Sequence, residues 1–276
     1  MKPSLAATFC LFASLDVGGA FAQSSPPPPL DILGVQLKMP RESAMRLLLG
    51  RQPPYVVGNT VALTVEDLGS FVWHISLSSP PDTVYNSVDS IDLDFAPPPT
   101  ESTVLRIYRH LCYSCGNPRK ANPDAPTVEN FQRSIAEKLK APSPTAVVAH
   151  TNQGENRIYV WSRDGKLLTS GDLSHRLRYP AACLNPPKLD SARNNVGVDF
   201  LSVVTTLEQN FENTCGTVAA VSWTQEGGII TQFEMTFNDV AGLLLAFAKS
   251  GATIQAKNQI QHQQQLQRAN QNSPKL

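Results

Sequence analysis

Arg109-His110-Leu111-Cys112-Tyr113-Ser114-Cys115-Gly116 holds the densest group of reactive side chains in the sequence. Two cysteines three apart can form a redox-active dithiol, half of a zinc site or a local disulfide. A catalytic dithiol needs a lowered thiol pKa, usually from a helix N-terminus. Here the strand-like run Val104–Leu111 leads in, and Asn117, Pro118, Asn122 and Pro123 follow, a sequence that bars an immediate helix. Arg119 and Lys120 are the charges that would favour a thiolate. Zinc needs a fourth ligand or a water beyond His110, Cys112 and Cys115, and the chain has no second C-x-x-C and no H-x-x-x-H. Haem attachment needs a histidine where Gly116 stands. The pair is expected to be structural, with no metal and no cofactor.

The other chemistry-bearing residues are scattered. Cys183 and Cys215 join Cys112 and Cys115 as disulfide candidates, and four cysteines allow three pairings. Cys183 and Cys215 fall in the same half of the chain and are expected to pair. The loop-entropy model gives that closure roughly 3–4 kcal/mol, and about 2 kcal/mol for Cys112–Cys115. Asp92 and Asp94 alternate with apolar residues, so both carboxylates leave one strand face about 7 Å apart. Glycosidases use carboxylates at comparable separations, but a solvated strand face has the same pattern. His74 and His175 look isolated. There is no G-x-S-x-G, H-E-x-x-H, Walker or dinucleotide glycine motif. No catalytic residue is assigned from sequence.

The first 22 residues read as a secretory signal. Lys2 precedes an apolar run from Leu5 to about Leu15, and Ala20-Phe21-Ala22 is an A-x-A cleavage site. Residues 23–30 form a proline-rich tether. A periplasmic or secreted location follows, in a compartment that permits disulfides. Val240–Ala248 is too short to span a bilayer, so the mature chain is expected to hold no integral membrane segment. Lysines plus arginines and aspartates plus glutamates number 23 each, which argues against a nucleic-acid partner held by charge.

These residues need elements to position them. Pro40 opens a helix with Ala44, Leu47 and Leu48 on its apolar face, ended at Gly50. Tyr55–Val65, Phe71–Leu77, Ile91–Phe95 and Val104–Leu111 read as strands, and their period-two alternation predicts an antiparallel sheet with one wet face. Thr127–Lys140 is a capped helix with Phe131, Ile135 and Leu139 as its stripe. Arg157–Trp161 and Val196–Leu207 are further strands, and a hairpin turns at Glu226-Gly227-Gly228. A buried helix follows Asn238-Asp239 and frays near Gly251. The expected fold is α+β, with two antiparallel-sheet lobes each packed with helices. The lobes span 31–145 and 146–252, and a Gln-rich polar tail spans 253–276.

The segment Asp31–Leu48 resembles the opening of proteobacterial envelope proteins of unknown function, through Gly34, Val35, Leu37, Met39 and Ala44; Lys38 replaces their usual second glycine. Pro126–Ser143 resembles their later segment through Lys138, Pro142 and Ser143, with Leu139 and Lys140 in place of Tyr-Gly. More distantly, the opening is similar to the helix–strand modules of β-lactamase inhibitor protein and of the small lipoprotein of the outer-membrane assembly machinery. The resemblance implies a non-catalytic module whose partner is another envelope protein. The alternative is a periplasmic thiol–disulfide oxidoreductase using Cys112 and Cys115.

Overall fold

The computed structural model describes residues 29–82, 84–115, 122–151, 153–171 and 215–271. Strands β1 (Asp31–Ile32) and β2 (Val35–Gln36) pair around Leu33-Gly34, where both residues take positive φ. Helix α1 (Arg41–Leu49) starts directly after Pro40. Strands β3 (Val56–Val65), β4 (Gly69–Ser78), β5 (Val88–Phe95) and β6 (Val104–Cys112) follow as an antiparallel meander. Helix α2 (Val128–Leu139) opens the second half, and the Thr127 hydroxyl accepts from the Asn130 N–H at 3.3 Å as the expected cap. Then come β7 (Ala146–Thr151), β8 (Gly154–Ser162), β9 (Cys215–Glu226), β10 (Ile229–Asp239) and α3 (Val240–Gln271).

The α+β class and the antiparallel sheet are present, but the two lobes do not have separate sheets, and α3 covers part of the face expected to be wet. The last strands of the two meanders, β6 and β10, pair with each other over Arg106–Cys112 and Gln232–Asn238. One eight-stranded sheet results, in the order β3-β4-β5-β6-β10-β9-β8-β7. Joining the meanders buries two edges that would otherwise present unpaired backbone groups to solvent.

Alternation along the strands sorts two cores. On one face, α1, α2 and the β1–β2 ribbon cover Leu77, Leu93, Ile107, Tyr159, Val221 and Phe237. On the other face, α3 covers Trp73, Leu105, Val160 and Val218 with Leu243, Leu244 and Phe247. Its cap is Asp239, whose Oδ1 accepts the Gly242 N–H at 2.9 Å. Leu47 departs from the expected stripe of α1, being exposed, while Ala44 and Leu48 are buried. Leu30, assigned to the tether, belongs to the core. Beyond Ile254, α3 stays helical to Gln271, with residues 255–270 exposed, so regular helix continues through most of the expected polar tail. The signal segment 1–22 and the strand expected at Val196–Leu207 lie outside the described residues.

Candidate functional site

The register places side chains in transverse rows. On the face that α3 shares, one row runs Val61–His74–Asp94–Arg106–Asn238–Val218 across β3, β4, β5, β6, β10 and β9. The next runs Asn59–Ser76–Asp92–Tyr108–Thr236–Ala220, and a third runs Ser78–Ser90–His110–Glu234–Ser222–Asn156. Neighbouring strands lie about 4.8 Å apart, so each row member touches the next. The opposite face of the same strands holds Ile75, Ile91, Leu93, Ile107, Met235 and Val221, all buried. The two outer rows, beyond the apolar footprint of α3, are half-buried or exposed at Ser76, Asp92, Tyr108, His110, Thr236, Glu234 and Ser222.

His74 organises the row nearest α3. It is 1% exposed, and its Nδ1 lies 2.6 Å from Asp94 Oδ1. Asp94 is also buried, and its Oδ2 makes an ion pair with Arg106 Nε at 2.8 Å. Read as the carboxylate of that pair, Asp94 only accepts, so Nδ1 carries a proton. The other nitrogen, Nε2, lies 2.8 Å from the Ser76 hydroxyl and 3.9 Å from Asp92 Oδ1. In the neutral imidazole Nε2 is the acceptor, and the Ser76 hydroxyl donates to it. Beside this group, burial and the adjacent Glu234, which accepts from its hydroxyl, push Tyr108 far above the usual tyrosine range.

The carboxylate pair noted from sequence therefore has unequal members. Asp94 is engaged by His74 and Arg106, whereas Asp92 keeps 28% of its side chain exposed. Strand alternation had already put His74 and Ser76 on one face of β4, and Asp92 and Asp94 on one face of β5. The register, 74 opposite 94 and 76 opposite 92, was the missing information. It depends on the loop between Ser78 and Val88, whose geometry no short motif specifies.

Cys112 and Cys115 are disulfide-bonded, with Cα atoms 5.7 Å apart. Cys112 is buried and ends β6, a strand terminus rather than the helix N-terminus that activates a thiol. Cys215 is buried and disulfide-bonded. Cys183, His175, Ala20 and Ala22 lie outside the described residues. Among the described residues no three His, Cys, Asp or Glu side chains converge as metal ligands, and no helix is long and apolar enough to cross a membrane.

A second polar cluster lies on the α1 side, in a cleft of about 380 Å³ lined by Arg51, Tyr55, Asp89, Arg109 and Tyr113. Arg109 donates to both oxygens of Asp89, at 2.9 and 2.8 Å, and the Tyr55 hydroxyl donates to the same carboxylate at 2.6 Å. The Arg109 guanidinium also lies over the Phe233 ring, 5.5 Å from its centre. The Asp89–Arg109–Tyr55 bonds tie α1's exit to β5 and β6, and the Arg109–Phe233 contact adds β10.

No protein-family model, curated protein or solved structure matches the chain.

Proposed function

We propose that the protein is a secreted or periplasmic binding module that recognises another envelope protein through the open rows of its sheet. The composition of that face carries the reading. Ser76, Ser78, Ser90, Ser222, Thr236 and Asn156 offer short side chains that lose little entropy on binding, and Tyr108 and His110 offer rigid rings among them. Engineered and natural recognition surfaces use the same mixture of aromatic anchors and adaptable hydroxyl and amide groups. No lysine stands in the three rows; Asp92 and Glu234 have neutral row neighbours, and Asp94 is paired with Arg106. The opening segment's resemblance to protein-binding envelope modules points the same way, as does the balanced charge of the whole chain.

Photo-crosslinking in the native envelope tests this. A photoreactive residue at His110 or Ser222 should give one discrete protein adduct that Tyr108→Ala abolishes. The same probe at Arg133, on the exposed side of α2, should not give it. Equal crosslinking from both faces, or adducts indifferent to Tyr108→Ala, would refute the assignment.

A further inference from the structure

We propose that Ser76, His74 and Asp94 form a nucleophilic site that cleaves uncharged carboxylic esters presented to the open sheet face. Three contacts carry it: Ser76 Oγ to His74 Nε2 at 2.8 Å, His74 Nδ1 to Asp94 Oδ1 at 2.6 Å, and Asp94 Oδ2 to Arg106 Nε at 2.8 Å. A nucleophile within hydrogen-bond reach of a base, with that base oriented by a third group, is the arrangement that activates a serine. Burial of His74 and Asp94 fixes the imidazole, while Ser76 is only partly buried and can meet a substrate. The ring's acceptor nitrogen is directed at a hydroxyl rather than at a backbone carbonyl, as a merely anchored histidine's N–H would be. Asp92, 3.9 Å from Nε2, adds a second carboxylate beside the imidazolium that forms in the transition state.

The chemistry balances without a cofactor. Ser76 Oγ attacks the ester carbonyl carbon as Nε2 takes its proton. The tetrahedral adduct collapses, the carbon–oxygen bond to the leaving alcohol breaks, and Nε2–H returns the proton to the departing oxygen. Water then attacks the acyl-serine, giving its proton to Nε2, and Ser76 leaves with that proton as the carboxylic acid is released. The backbone N–H groups of β4 face β3 and β5 in the ladders, so they offer little to an oxyanion. That favours esters, whose alcohols leave readily, over amides. Asp92 disfavours anionic acyl groups.

Ser76 and His74 are the catalytic residues here, and Asp94 is a positioning residue. A fluorophosphonate probe on the full folded chain should label Ser76, located by peptide mass spectrometry, and p-nitrophenyl acetate should be turned over. Ser76→Ala, a small change at a partly exposed site, should remove both signals while the circular dichroism spectrum is kept. His74→Gln should lower the labelling rate by about 10²-fold or more. Asp94→Asn should lower kcat and leave KM unchanged, a split that a loss of packing alone would not give. Folded protein with no label on Ser76, or ester turnover undiminished in Ser76→Ala, overturns the site. Neither probe needs a protein partner, so this result is independent of the crosslinking result.

Discussion

Buried and half-buried tyrosine hydroxyls are the side chains through which this fold senses alkaline solution. Burial, then the hydrogen bond to Asp89, pushes Tyr55 far above the usual tyrosine range. Burial and then Glu234 do the same for Tyr108. Burial also raises Tyr113 and Tyr159, against the opposing pull of Arg109 and Arg157. In the unfolded chain these groups ionise near pH 10. Below that pH both states hold the protons and the stabilisation is complete. Above it the unfolded chain releases protons that the fold retains, so stability falls as pH rises towards the folded values. The urea midpoint should therefore be level between about pH 7 and 9 and decline beyond about pH 10. Tyr55→Phe should lower stability at neutral pH by about 1.5–3 kcal/mol, because its hydroxyl donates to a carboxylate. The same change should flatten the alkaline decline. A variant whose decline stays as steep as the parent's would show that Tyr55 is not among the groups responsible.

At the scale of elements, the pairing of β8 with β9 leaves no room for a Cβ at Gly154. Gly154 opens β8, and a Cβ there would lie 2.1 Å from the backbone carbonyl oxygen of Trp223. Gly154→Ala must push the strands apart where Gly154 faces Thr224, and should cost about 1–3 kcal/mol in a urea titration. Gly58→Ala, on the exposed edge strand β3 with 3.7 Å to the Ser76 carbonyl oxygen, should change the midpoint by less than about 0.5 kcal/mol. Equal effects at the two positions would contradict the strand packing described. The strands that sequence found most readily, β4, β5 and β6, are those with apolar residues on alternate positions against α1 and α2. The hairpin at Glu226-Gly227-Gly228 was legible because both glycines take positive φ, which the tight turn requires. Strand β7 was not read from sequence because it is a short edge strand. Val147 and Val148 are adjacent and both exposed, so no period-two pattern marks it. The Ser76–His74–Asp94 arrangement was hidden for another reason. Each residue's face was readable, but their meeting is a property of register between strands.

At the scale of the whole molecule, the β6–β10 pairing decides whether the halves are independent. Two runs of strands packed with helices suggested two lobes, 31–145 and 146–252, because the hydrophobic pattern of each run is local. The partner of a strand's outer edge leaves no such periodic trace in sequence, so the union was not legible. Phe237 of β10 packs in one cluster with Ile107 of β6, Leu93 of β5 and Tyr159 of β8, so the core is shared across the junction. Helix α3 reinforces this from the other face, joining Trp73 of β4 to Val160 of β8 and Val218 of β9, with Lys257 reaching the Asp67 carbonyl at the far hairpin. Separate unfolding of either half would strip buried surface from the other, which favours one cooperative transition. The tryptophans test this directly. Trp73 lies in the first meander, and Trp161 and Trp223 lie in the second. With 5-fluorotryptophan incorporated, the fluorine resonances of all three should lose native intensity at one urea midpoint. Phe237→Ala should move that common midpoint by an amount equivalent to about 3–5 kcal/mol. If Trp73 instead melts apart from Trp161 and Trp223, the halves are thermodynamically separate despite their common sheet.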